Sequence, residues 1–342
     1  MRHEDARLQR ILSVSELADS RNDPALLGAS WVGRDAPAGF GTTGLPFQHI
    51  IAAQLGRGGA GPAEAWFGAL AGREGFAHDV HFRCDAHLLF GVITLAEGDC
   101  AGDAGATPLQ RASQQAYESL FRVLAEEGYP HLWRVWNYLD DINGTAAGLE
   151  RYRQFNIGRH QAFANADRLQ GCTIPAASAL GVAGGPLSIA FLAARAPCIP
   201  LENPRQLSAY RYPADYGPRS PTFSRAALAR LPGQEWLFVS GTASIVGHLT
   251  VHHGDPAAQT REIVANLEAL LAEASRVSTG PAYRLDELSG RAYVRHPEHL
   301  AAVQAELVRA LGAGAPIVYV HADVCRADLL VELEAQACHL FV

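Results

Sequence analysis

Glu332 lies in the run Leu329-Leu330-Val331-Glu332-Leu333-Glu334. The two-residue alternation of a strand would put it on the face opposite Leu329, Val331 and Leu333. A carboxyl embedded in such an apolar strand loses solvation, which raises its pKa and makes it a candidate general acid near neutral pH. Cys325, seven residues upstream in His321-Ala322-Asp323-Val324-Cys325-Arg326, is close enough to share a pocket with it. The alternative is a glutamate on an edge strand facing water and a buried, inert thiol. Tyr152, Asn156 and Arg159 recur at helical spacing, and Tyr152 and Arg159, seven apart, sit within about 20° of one another on a helix face. That face is either turned toward a polar ligand or solvated. A third set runs from Tyr210-Arg211-Tyr212-Pro213 to Gly217-Pro218-Arg219-Ser220-Pro221-Thr222-Phe223-Ser224-Arg225. Prolines stiffen it, and arginine forks hold carboxylates bidentately. Arg and Tyr gathered twice in a chain of net charge −7 point to a small dianion, against a structured loop with surface arginines.

The elements that would carry these residues emerge when the chain is compared with itself. A buried-strand composition at His87–Leu95 is followed by Thr107-Pro108, a cap residue with Pro at the first helical position. Ala116, Leu120, Val123 and Leu124 then recur at helical spacing, and Gly128 closes the helix. A strand over 132–139, a helix over about 147–164 and a strand over 187–192 complete the unit. The last third repeats the order. Its strand covers 236–241, Asp255-Pro256 starts a helix, and Ile263, Leu267, Leu270 and Leu271 match the earlier helix positions at a constant offset of 147. A strand at 290–294, a helix at about 297–311 and strands at 317–320 and 329–333 follow. Two such units of roughly 110–130 residues are an internal repeat. The first ~85 residues, strand-rich and Gly-rich, read as a degenerate third copy. The division is therefore 1–85, 86–203 and 204–342.

The repeat also shows which helix face has changed use. The second helix of the last copy carries Leu300, Val303, Leu307 and Ala310, whereas the central copy, at an offset of 151, carries Leu149, Tyr152, Asn156 and Arg159.

Several function classes are disfavoured. An acidic chain lacks the cationic surface that non-specific nucleic-acid binding requires. No uninterrupted apolar run of 18 residues exists to span a membrane, and Met1-Arg2-His3-Glu4-Asp5 does not open a signal peptide. The expectation is a cytoplasmic protein. Its six cysteines (Cys84, Cys100, Cys172, Cys198, Cys325 and Cys338) contain no Cys-x-x-Cys and read as reduced thiols. His252-His253 and His296-Pro297-Glu298-His299 lack the ligand spacings of a zinc site, so no metal is expected. Gly56-Arg57-Gly58-Gly59-Ala60-Gly61 fits a dinucleotide fingerprint, with Asp79 near the place of the ribose acid. The chain beyond it does not alternate strand and helix as a doubly wound sheet requires, and a flexible loop is the favoured reading.

Four tracts resemble the chorismatase family: 136–143 (WNYLDDIN), 149–159 (LERYRQFNIGR), 217–225 (GPRSPTFSR) and 240–244 (SGTAS). The resemblance covers most of residues 85–342. It implies an α/β (α+β) fold, a pseudo-threefold arrangement of Rid/YjgF-like domains, each a mixed sheet packed with helices, in a monomer. It further implies cleavage of chorismate, a small dicarboxylate, with release of pyruvate and without metal or organic cofactor. The active site would lie between the central and C-terminal domains. By motif, Tyr152, Arg159, Tyr212 and Arg225 would bind the carboxylates, and Glu332 would protonate the enol-ether methylene. Members that form 3-hydroxybenzoate, in one subgroup with 4-hydroxybenzoate, resemble this chain in having a Cys seven residues before the glutamate. Cys325 and Glu332 thus point to a 3-hydroxybenzoate synthase. Rival readings are a hydrolytic chorismatase giving a dihydroxycyclohexadiene carboxylate, and a Rid-like ligand-binding or enamine-processing protein.

Overall fold

A computed structural model describes residues 8–40, 44–56, 63–100, 105–169 and 174–341. Cys172, the chain start and positions 57–61 of the glycine-rich hexapeptide lie outside the described residues. The five described cysteines are free thiols.

One strand order is used three times. In the central sheet the order is Ala176–Val182, His131–Asp140, Leu187–Ala194, Leu88–Leu95, Val80–Cys84, Arg73–Ala77. In the C-terminal sheet it is Ile317–His321, Ser289–Val294, Val331–Leu340, Gln234–Ala243, Ala226–Leu231, Cys198–Leu201, with Ala53–Gln54 added at the edge. In both, the first pair is parallel and the others antiparallel. The N-terminal sheet keeps the four-strand core of that order, as Phe47–Ile50, Leu26–Val32, Ala63–Phe67 and Gln9–Leu12. The fold is mixed α/β with pseudo-threefold symmetry.

Each full copy carries two helices on the outer face of its sheet. α2 (Pro108–Glu127) starts where the Thr107 hydroxyl accepts from Gln110 N and ends at Gly128, left-handed at φ 75°. α4 (Pro256–Val277) starts the same way, Asp255 accepting from Ala258 N at 2.9 Å. Their partners are α3 (Arg151–Asn165) and α5 (Leu300–Leu311), while among the described residues the N-terminal copy has only the short α1 (Val14–Asp19) as an α-helix. At Gly158 of α3 a Cβ would overlap the Gln110 carbonyl oxygen, so a glycine is needed for α2 and α3 to cross this closely. No described helix is long and apolar enough to cross a membrane.

The inner faces of the three sheets meet in one shared core. Trp66 of the first sheet lies 5.2 Å from Trp136 of the second and 6.2 Å from Phe238 of the third. A buried polar hub crosses the same place. Glu334 takes hydrogen bonds from Arg134 (2.5 Å), Tyr293 (2.7 Å) and Ser178, and Arg291 bridges to Glu64 of the first sheet at 2.6 Å. Because both faces of every sheet are covered, strands such as Ala63–Phe67 and Leu187–Ala194 are buried throughout.

The structure departs from the sequence expectations at several places. The hairpin Arg73–Cys84, placed with residues 1–85, pairs into the central sheet, because only the tight Asp85–His87 turn separates it from Leu88–Leu95. Likewise Cys198–Leu201, placed in the central unit, pairs with Ala226–Leu231 of the C-terminal sheet. The second helix of the central copy begins at Arg151 rather than 147, since Thr145–Ala146 and Leu149–Glu150 form a small hairpin. In the last copy, Pro297–His299 is a 3-10 turn ahead of α5, and the closing strand begins at Val331.

Candidate active site

The acid is positioned by strand alternation and one irregularity. Val331, Leu333 and Ala335 point into the core beneath α4 and α5, which leaves Glu332, Glu334 and Gln336 on the inner face. The pairing of Val331–Leu340 with Gln234–Ala243 shifts register between Val239 and Thr242, so Ser240-Gly241 bulges out opposite Glu334, next to the Ala243–Glu332 pair. A Cβ at Gly241 would overlap the Glu332 carboxyl, and only a glycine leaves that space. Glu332 is 4% exposed, and among the described residues no donor reaches its carboxyl. Burial, reinforced by the neighbouring charge of Glu334, pushes it up to about 8, against the opposing pull of Arg134 and Arg225. It is protonated at neutral pH.

The Glu332 carboxyl faces a cavity of about 330 Å³, within the usual range of small-molecule sites. Tyr152 and Arg153 enter it from the start of α3, where Tyr152 N donates to Ile142 O and Arg151 N to Gly144 O. Tyr212 and Arg225 come from the proline-stiffened segment, and Cys325 and Arg326 from the loop before the last strand. Four of the five residues the sequence places with Glu332, namely Tyr152, Tyr212, Arg225 and Cys325, thus converge on it. Arg225 is 3% exposed, and its Nη2 donates to Leu207 O and to Tyr212 Oη, both at 2.8 Å. Its Nε has no partner, and among the described residues it forms no ion pair. The Glu202 carboxyl is near enough to feel its charge without pairing with it, so the guanidinium keeps an unspent N–H that an anionic ligand would satisfy. The Cys325 thiol is pushed up to about 12 by burial and by Glu332, which keeps it neutral. Burial also raises the Tyr152 phenol, which therefore stays a neutral donor and acceptor.

Arg159 is placed differently. It shares the α3 face with Tyr152 but lies two turns deeper, outside the cavity wall. Its Nη2 donates to Asn156 Oδ1 at 2.7 Å, its guanidinium lies 5.0 Å from the Phe155 ring, and its Nε is unpartnered. Arg211 and Arg219 of the proline-rich segment are exposed; only Arg225 turns inward. Sequence reasoning missed Arg326, although it adjoins Cys325, and Gly241, whose role depends on a bulge that no local pattern announces. It also missed Arg134 and Glu334, which meet from strands 200 residues apart.

The sequence profile of the family described as "Chorismatase FkbO/Hyg5-like, N-terminal" matches residues 64–193. A protein named chorismatase from Streptomyces rapamycinicus is 40% identical over 282 residues, covering 80% of this chain and 81% of the relative. A 3-hydroxybenzoate synthase from Streptomyces hygroscopicus is 37% identical over 284 residues, covering 80% of each chain. The crystal structure of a chorismatase matches with a TM-score of 0.84 at 32% identity, over 96% of this chain and 97% of the other.

Proposed function

The chain belongs to the chorismatase family, and we propose that it cleaves chorismate to 3-hydroxybenzoate and pyruvate with Glu332 as proton donor. One observation carries the reading: a desolvated, protonated carboxyl without hydrogen-bond donors faces a cavity beside a buried arginine that forms no ion pair among the described residues. Chorismate brings two carboxylates and an enol ether. Arg225 and Tyr212 would hold a carboxylate by charge-assisted hydrogen bonds, and Tyr152 would close the opposite wall. Arg159, behind Tyr152, would add positive field to that wall.

Transfer of the Glu332 proton to the enol-ether methylene makes a methyl group and leaves an oxocarbenium on the adjacent carbon. The newly formed Glu332 carboxylate then lies beside that cation, in a site where water does not screen the attraction. Two fates compete for the oxocarbenium. Water can attack it and release a non-aromatic diol, or a ring hydroxyl can attack within the substrate on the way to the aromatic acid. The second route consumes no water, since 3-hydroxybenzoate and pyruvate together have the composition of chorismate. A neutral Cys325 thiol, bulkier than a methyl group and only a weak hydrogen-bond donor, makes a poor seat for an ordered water. That supports the aromatising route.

Every group in this scheme comes from one chain, so a monomer suffices. The test is pyruvate release from chorismate in a lactate dehydrogenase-coupled assay, with chromatography of the ring product. Pyruvate with a benzoate is expected. Pyruvate with the dihydroxycyclohexadiene carboxylate would make the enzyme hydrolytic, and no pyruvate would leave a Rid-like binding or enamine-processing role.

A further inference from the structure

A dicarboxylate held in a buried site requires a second cation, and the cavity contains a candidate besides Arg225. Three arginines line it: Arg153, Arg225 and Arg326. Arg153 is already engaged by Glu150 at 3.1 Å. Arg326 forms no ion pair among the described residues. Its Nη1 donates to His248 O at 2.9 Å and to Thr250 Oγ1 at 3.3 Å, while its Nη2 is buried without a partner. Two rings fix the plane of the guanidinium, which lies 4.1 Å from the centre of Tyr216 and 5.2 Å from that of Tyr212. Tyr212 also lies 5.7 Å from the Arg225 guanidinium, so one ring stands against both cations. The acids nearest Arg326 do not neutralise it: Asp328 accepts from Thr250 at 3.2 Å and faces His253 at 3.6 Å, and Asp215 is exposed. Two like charges gathered at one cavity, each with an unspent N–H, repel each other until anions arrive.

We propose that Arg326 is the second carboxylate clamp, so that Arg225 holds one carboxylate of a dianionic substrate and Arg326 the other. The identity of the dianion rests on the chorismate reading; the clamp itself rests on the geometry. Arg225 is near enough to act on both the Glu332 carboxyl and the Cys325 thiol, whereas Arg326 acts on the thiol alone. The enolpyruvyl carboxylate, bonded next to the methylene that takes the proton, therefore belongs to Arg225. The ring carboxylate belongs to Arg326. The assignment explains why Arg159 can stay behind the wall: the cavity meets both substrate charges without it.

Steady-state kinetics on chorismate and calorimetric titrations with isophthalate, a dianion, and benzoate, a monoanion, test the proposal on the unsubstituted protein, Arg326→Gln and Arg326→Lys. Loss of one charge-assisted contact should raise KM for chorismate roughly 10- to 100-fold in Arg326→Gln, with little change in kcat. The preference of the unsubstituted protein for isophthalate over benzoate should vanish in Arg326→Gln and return in part in Arg326→Lys. An unchanged KM, or a lower melting temperature with the isophthalate preference intact, would overturn the proposal and make Arg326 a prop for the His248–Thr250 loop. If the unsubstituted protein releases no pyruvate, the chorismate reading fails, while the titrations still decide whether Arg326 is a clamp.

Discussion

Glu332→Gln should abolish pyruvate release and, above neutral pH, make the protein more stable. Raising the carboxyl from 4.5 to about 8 means that the folded site disfavours the carboxylate by about 5 kcal/mol. The folded value lies above the unfolded one, so the stability linked to this proton is fully present below about pH 4.5. It falls as pH rises and is lost once pH passes through about 8. Glutamine keeps the shape and stays neutral at every pH. Its gain over glutamate should be near zero at pH 5 and grow to a few kcal/mol at pH 9. An unpaired amide N–H, worth about 1–3 kcal/mol, takes some of that back. Urea unfolding of both proteins at pH 5, 7 and 9 reads the difference, and the coupled pyruvate assay reads activity. In the unsubstituted enzyme about nine-tenths of Glu332 is protonated at pH 7, against well under 1% for an ordinary glutamate. Its kcat/KM should fall about tenfold per pH unit above pH 8. A stability difference that is the same at pH 5 and pH 9, or near-normal turnover by a folded Glu332→Gln protein, would refute the reasoning.

Arg225→Ala should raise KM for chorismate by about 2–5 kcal/mol in binding, because a desolvated carboxylate loses its fork, and Arg159→Ala should raise it less. Added salt should change KM far less than Arg225→Ala does, since a buried pair is poorly screened. Cys325→Ala should shift product from 3-hydroxybenzoate toward the non-aromatic diol while pyruvate release persists; an unaltered mixture on chromatography would make the thiol mere packing and move the choice of product elsewhere, toward Ala243. Gly241→Ala should drive the Glu332 carboxyl from its seat and lower kcat with the melting temperature largely kept, because the overlapping group is the movable end of a side chain.

The repeat was legible because its signals are local. Caps at Thr107 and Asp255, prolines at the first helical position and stripes offset by 147 fix α2 and α4 from the sequence outward. The strand Ala176–Val182 was not legible. Its sequence, AASALGV, has little strand propensity, and it forms because it fills the edge beside His131–Asp140, where both faces are buried. Glu332 was readable from alternation alone, since Val331 and Leu333 declare the core side. Whether it faced water or a dry cavity was not, because that depends on the bulge at Ser240-Gly241 and on α3 of the preceding copy. The shared helix face of Tyr152 and Arg159 was read correctly, but periodicity gives direction and not depth. Only packing decides that Tyr152 reaches the cavity while Arg159 stops two turns behind it.

Fusing three copies in one chain also accounts for a single interface carrying the proposed chemistry. In a symmetric trimer every interface must carry the same residues, whereas here each can diverge. The cavity at the interface of the N-terminal and central sheets, about 480 Å³, is lined by Phe47, Thr94 and Leu95 with Asp79 and Asp99, and none of its described lining residues is an arginine or lysine. Ser188, the second residue of its strand as Glu332 is of its own, is a neutral hydroxyl that accepts from Gln48 at 3.3 Å and does not line that cavity. A dianion would meet two carboxylates and neither arginine nor lysine among the described lining residues of that cavity, a poorer field for it than the arginine-lined one. The same divergence altered the helices. α5 presents Val303, Leu307 and Leu311 to its own sheet, while α3 gives up part of its apolar stripe to Tyr152, Asn156 and Arg159. The central copy thereby supplies an aromatic wall, the C-terminal copy supplies the acid and the unpaired arginines, and neither copy alone encloses the space between them.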